Sequence, residues 1–227
     1  LALLTPQVAA RALQPQADLL LDELFALGAV LIALWLTERR AWQLSAASLL
    51  LAGAMLTKRE GFLLAVCVIL SALAVTVRDA RRSWPRLALV GLSAALLSIP
   101  WRVWFEAHGL LGDTPEAGGT GLFRNLDRAW PSFELALRDL FSYDLWLVAA
   151  PLTLAAVAAA FLAGRRALPS YVAIMLTLGI GGFTWITWAF PSLPITEDAA
   201  VNPITRAVGS LVIASCGLIP LLLAAAW

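Results

Sequence analysis

Seven apolar runs, at 18–36, 42–56, 62–77, 87–101, 145–163, 170–188 and 208–227, constrain this chain more than any other feature. Of the charged residues only Asp18, Asp22 and Glu23 fall inside a run, all three near the start of the first. An isolated strand cannot satisfy its backbone in hydrocarbon, so runs of this length predict membrane helices. The expected fold is all-α: a polytopic transmembrane bundle of about seven spans, forming one domain over 1–227. Composition agrees, because 61% hydrophobic against 14% charged residues is far from the roughly 25% charged of a soluble domain. The chain begins at Leu1 and ends at Trp227 directly after an apolar run, which reads as a fragment of a longer polypeptide.

The second and fourth runs hold only 15 residues, about 22 Å of helix against a hydrocarbon core of about 30 Å, so their flanks must dip into the interface. Alternating the spans puts the connections 37–41, 78–86 and 164–169 on one side. They carry Arg39, Arg40, Arg78, Arg81, Arg82, Arg86, Arg165 and Arg166 against only Glu38 and Asp79. The positive-inside bias makes that side cytoplasmic and turns the long connections and the three intraspan acids outward. Trp35, Trp42 and Trp84 then fall near inner ends, and Trp101, Trp104, Trp146, Trp185 and Trp188 near outer ends, as an aromatic belt would. The net charge of +1 offers no field for nucleic acid. Cys67 and Cys216 sit in apolar runs without metal or disulfide spacing and read as buried free thiols.

The longest connection, 102–144, is expected to be an extracytoplasmic loop with amphipathic helices. Its first part, from His108 to Gly121, is rich in turn formers. In its second part Leu122, Phe123, Leu126, Trp130, Phe133, Leu137, Leu140 and Phe141 recur at helical spacing, with Arg124, Asp127, Arg128, Glu134, Arg138 and Asp139 on the other face. Pro131 marks the start of a second helix. Such a pair would lie along the outer interface or form a small cap.

Chemistry-bearing residues gather on the predicted outer face. Asp18 and Asp22, four apart, share a helix face, and carboxylates at the rim of a span read either as a functional site or as an acidic helix start. Leu56-Thr57-Lys58-Arg59-Glu60-Gly61 packs three charges into one outward turn. Lys58 and Arg59 would stand at headgroup level, where they can bind a phosphate as a point charge and a fork, or snorkel to ordinary lipid. Arg102, after Pro100-Trp101, is a further candidate phosphate ligand. Arg206 is either another cationic ligand or an anchor. The single histidine, His108, with Glu106 and Asp113 nearby, is weak evidence for a metal and reads rather as a plain interfacial histidine; no cofactor is expected, a divalent metal staying open without support from the residues. Gly179-Ile180-Gly181-Gly182 lies in mid-span and reads as close helix packing.

Ala17-Asp18 opening a long span, then Thr57-Lys58-Arg59-Glu60-Gly61, then Ile99-Pro100-Trp101-Arg102 with His108-Gly109-Leu110, then Asn202 to Arg206 before a last span, form an ordered set over about 190 residues. In that set the chain resembles bacterial integral-membrane glycosyltransferases of the GT-C superfamily, which include the protein mannosyltransferases and the aminoarabinose transferases of lipid A. The resemblance implies transfer of a sugar from a polyprenyl-phosphate-linked donor to a glycan, lipid or protein acceptor on the extracytoplasmic face of a bacterial plasma membrane. It implies that Lys58, with Arg59 or Arg102, holds the donor phosphate, that Asp18 belongs to an acidic active-site rim, and that Arg206 approaches from the last helix. The family's general base, an acid of the first outer loop, has no counterpart here and is expected upstream. From the residues alone two other classes stay open: a transporter or flippase subunit, and a non-catalytic membrane assembly protein. Span charges bunched at one edge, with no half-repeat, argue against the transporter; the charged outward turn argues against a purely structural role.

Overall fold

In a computed structural model the chain is described over residues 5–8, 17–109, 125–189 and 203–227, with the side chains of Pro203 and Arg206 outside the description. The described residues form helices and no strand: α1 Asp18–Glu38, α2 Ala41–Thr57, α3 Glu60–Val75, α4 Ala80–Ala107, α5 Ala129–Leu140, α6 Tyr143–Trp146, α7 Ala149–Leu162, α8 Ala167–Ala189 and α9 Pro203–Ala226. Four helical stretches, α1, the segment Val77–Ala107 containing α4, α8, and Ala207–Ala226 of α9, are long and apolar enough to cross a membrane. The helices α2, α3 and α7 are equally apolar but shorter, at 17, 16 and 14 residues.

The first helix is the hub. It packs against α2, α3, α8 and α9, and Phe25, Ala29, Ile32 and Ala33 are wholly enclosed in the main core. Hydrogen bonds fix which ends lie together. Ser210 of α9 reaches Asp22 of α1, so these two helices start at the same end. Arg39 Nη1 donates to Ser83 Oγ at 2.9 Å, and Arg165 Nε to the carbonyl of Ala225 at 3.1 Å, both at the opposite end. The arginine-rich connections therefore share one end of the bundle, and Lys58 stands at the other.

Helix boundaries differ from the apolar runs for a physical reason. Apolar composition ends where lipid would end, whereas backbone hydrogen bonding continues: α4 extends from Ala80 to Ala107, about 42 Å, far beyond its run at 87–101. Pro100 lies inside it and removes the bond that the Leu96 carbonyl would accept. The run 145–163 is broken instead, because Leu147 takes φ 55° between α6 and α7. The helix expected from Pro131 begins two residues earlier, at Ala129, after a 3-10 turn at Leu126–Arg128. Residues 110–124, which carry most of the expected irregular segment and the start of the amphipathic pattern, lie outside the described residues. Through Ser132, Leu135 and Ala136, α5 packs on α8 and α9, and it leaves Trp130 outward.

Two tryptophans depart from the belt expectation. Trp35 and Trp146 are each only 1% exposed and belong to the cores, whereas Trp42, Trp84, Trp101 and Trp104 are on the surface as expected. Cys67 is buried and Cys216 half-buried, both as free thiols. The mid-span glycines divide similarly: Gly179 and Gly182 lie tight against Leu211 and Leu63, while Gly181 faces open space.

Candidate functional site

The site begins with a turn of two residues. The Thr57 hydroxyl donates to the Gly53 carbonyl at 2.8 Å, closing α2. Lys58 is extended, with φ −153° and ψ 160°, and its N–H still reaches Ala54 O. By Gly61 the chain is helical again, with Gly61 N–H bonded to the Lys58 carbonyl at 3.2 Å. So abrupt a reversal sets α3 directly on the backbone of α2. A methyl group at Gly61 would fall inside the Ala54 carbonyl, which is why glycine ends the Thr-Lys-Arg-Glu-Gly sequence.

From this turn Lys58 Nζ donates to Asp18 Oδ1. The pair is largely enclosed, with 20% of the lysine side chain and 6% of the aspartate side chain exposed. Arg59 and Arg102 are exposed and make no ion pair among the described residues. The Arg102 guanidinium instead sits 5.4 Å from the centre of the Phe62 ring, within cation–π range. Lys58, Arg59 and Arg102 line one cleft of about 510 Å³ between the α2–α3 turn and the last turns of α4, floored by Met55, Phe62, Trp101 and Phe105 and rimmed by Glu106. Two apolar grooves adjoin it. One, of about 600 Å³, is lined by Leu56, Leu97, Pro100, Trp101 and Trp104; the other, of about 380 Å³, runs down between α2, α3 and α4 and shares Met55 and Phe62 with the cleft.

The sequence candidates separate accordingly. Lys58, Arg59 and Arg102 come together, and Asp18 joins them through Lys58. Asp22 does not: 1% exposed, it accepts a hydrogen bond from Ser210 and faces α9 rather than the cleft. Glu23 points to the surface. Glu60 opens α3, where its charge favours the helix dipole, and does not line the cleft. His108 is turned back on its own helix, with Nδ1 2.7 Å from the Trp104 carbonyl and its ring stacked on Trp104 at 4.4 Å. Among the described residues no group of three His, Cys, Asp or Glu side chains gathers around a point. The side chain of Arg206, and Asn202 and Asp113 altogether, lie outside the described residues.

The cleft also contains residues that charge alone did not single out. Trp101 and Phe105, and Arg102 and Glu106, repeat at i, i+4, so two adjacent stripes of α4, one aromatic and one charged, face the turn. Trp101 stacks on Trp104 with ring centres 5.1 Å apart. Elsewhere at this end, the Thr205 hydroxyl donates to Asp139 Oδ2, tying α9 to α5. Burial pushes the Asp139 carboxyl above its usual range, partly offset by that hydrogen bond and by Arg138. Ser132 Oγ, Thr184 Oγ1, Trp185 Nε1 and Trp188 Nε1 are enclosed without a hydrogen-bond partner among the described residues.

An excess of positive charge over a ring-lined floor, opening beside apolar grooves, can hold an anionic head whose attached chain lies in hydrocarbon. Its volume is within the ~300–1,000 Å³ of small-molecule sites. No protein-family model, curated protein or solved structure matches the chain.

Proposed function

We propose that the chain is part of a membrane glycosyltransferase that takes a sugar from a polyprenyl-phosphate-linked donor, with the donor phosphate held by Arg59 and Arg102 and by Lys58 at the edge of the same cleft. The observation that carries this reading is the meeting of those three cations in one cleft that shares wall residues with two apolar grooves. A free phosphate needs no greasy groove, and a plain hydrocarbon chain needs no cations; a lipid phosphate needs both. In this reading α2, α3 and α7 cross the bilayer together with the four longer helices, giving seven spans. The arginine-rich end faces the cytoplasm and the cleft faces outward.

The reaction is an inverting displacement at the anomeric carbon. An acceptor hydroxyl of a glycan, lipid or protein forms the new C–O bond as the bond to the phosphate oxygen breaks. The electron pair leaves with the phosphate, and the acceptor proton passes to a carboxylate base. Arginines set around the leaving phosphate stabilise its growing charge, and guanidinium forks suit phosphate oxygens. Asp18 keeps the Lys58 ammonium at the cleft edge.

The test is binding of polyprenyl phosphate to the protein in nanodiscs, with the corresponding polyprenol as control. The phosphate should bind at least tenfold more tightly than the alcohol, and Arg59→Gln and Arg102→Gln should each remove about tenfold of that preference, as charge-assisted hydrogen bonds are lost. Equal binding of phosphate and alcohol, or full preference in both variants, would remove the reading.

A further inference from the structure

The arginine-rich end carries a second cleft, independent of the reading above. It holds about 380 Å³ between α2 and α4, and its polar lining is Arg39, Ser45, Ser48, Arg86 and Ser93. We propose that it binds the phosphodiester headgroup of an anionic membrane lipid in the leaflet at that end, one acyl chain lying along Leu44, Leu89 and Val90.

Four observations support this. First, Arg39 is preset rather than free to swing. It occupies the left-handed C-cap of α1 (φ 61°), donates to Ser83, lies 3.8 Å from Asp79 and stacks 4.6 Å from the centre of the Trp35 ring. Second, Arg86 is exposed and has no ion pair or hydrogen bond among the described residues, so its fork is available to phosphate oxygens. Third, hydroxyls continue the polar lining. Ser48 and Ser93 bond each other at 2.7 Å, while Ser45 is exposed with no partner among the described residues. Fourth, the cleft meets an apolar surface. Leu89 on its wall is 65% exposed, and Leu92 on the same helix 57% exposed. Surfaces of that kind on a membrane helix face acyl chains, which selects a lipid over a free anion. Trp42 and Trp84, exposed at the same end, mark the depth at which headgroups lie.

A diazirine-acyl phosphatidylglycerol incorporated into nanodiscs tests the site by photolabelling and peptide mapping. Label is expected within 41–48 and 86–93, with a phosphatidylcholine analogue labelling these segments several-fold less. Because Arg86 contributes no described contact to the fold, Arg86→Gln isolates the headgroup interaction. It should reduce labelling by about five- to tenfold, in line with the worth of one cation at an anionic headgroup, and Arg86→Lys should restore most of it. Unchanged labelling in Arg86→Gln, or equal labelling by the two lipids, overturns the proposal. Loss of label on adding millimolar inorganic phosphate overturns it too, since the site would then be one for a free anion.

Discussion

Replacing Lys58 by Met removes the cation from a carboxylate that is all but enclosed, with 6% of the Asp18 side chain exposed. Breaking a buried ion pair from one side costs about 3–5 kcal/mol, because the remaining charge is left desolvated. Lys58 is itself one-fifth exposed and Asp18 keeps contacts beyond Lys58, so the loss is moderated and the lower end, about 3 kcal/mol, is expected. The reverse change, Asp18→Asn, leaves a long flexible ammonium that can reach the interface, and should cost less, about 1–2 kcal/mol. The double variant Lys58→Met/Asp18→Asn removes both charges of the pair and should lie within about 1 kcal/mol of the parent. The coupling between the two positions is then about 4 kcal/mol, somewhat above the usual range for directly contacting residues, as befits a buried ion pair. Equilibrium unfolding in mixed detergent and SDS micelles measures all four corners of the cycle, and the ten tryptophans provide the signal. Additive effects, or a Lys58→Met variant within 1 kcal/mol of the parent, would refute the view that this pair holds the start of α1 to the α2–α3 turn. The same cycle reads out in the cleft: Asp18→Asn frees Lys58 and should strengthen binding of a lipid phosphate, whereas the double variant should not.

Two further perturbations follow from contacts at the same end. Gly61→Ala drives a methyl into the Ala54 carbonyl and should separate α2 from α3, costing about 3 kcal/mol or more, visible as a lowered thermal midpoint together with weaker polyprenyl phosphate binding; an unchanged midpoint would mean the turn is looser than described. Burial raises the Asp139 carboxyl above 3.8, so its contribution to stability is complete below the unfolded value and is lost as pH rises through the higher folded value. Asp139→Asn, which keeps an oxygen for the Thr205 hydroxyl, should therefore be the more stable protein at neutral pH, with the difference closing on acidification to about pH 4; a midpoint difference independent of pH would contradict the assignment.

What the sequence disclosed was governed by range. Runs such as 18–36 announce helices because hydropathy along a helix is a local property, and Lys58, Arg59 and Arg102 could be grouped because they end neighbouring runs. The Asp18–Lys58 pair, 40 residues apart, was within reach of the same reasoning, as acids and bases at one level of adjacent helices. Asp22 with Ser210 and Asp139 with Thr205 were not. Each joins a carboxylate to a neutral hydroxyl, 188 and 66 residues away, and a hydroxyl in an apolar helix carries no signal of its partner. Trp35 and Trp146 show the converse limit: residue type suggested an interfacial position, but packing against neighbours decided burial. In α4 the i, i+4 repeat of Trp101 with Phe105 and Arg102 with Glu106 was present in the sequence, hidden because the apolar run stops where that helix continues.

If α2 and α3 cross the bilayer as proposed, their brevity has a consequence for the bilayer itself. At 17 and 16 residues each spans about 25 Å, short of a core of about 30 Å, while α4, packed against both, reaches about 42 Å. Mismatch of that kind would be relieved by local thinning of the membrane around the α2–α3 turn. A thicker bilayer would pull Lys58 and Arg59 toward hydrocarbon and make that thinning costlier, so the protein should favour thin membranes, and its cleft should fill less readily as acyl chains lengthen. Membrane thickness would then act on this molecule as an effector, without contacting it at any single residue.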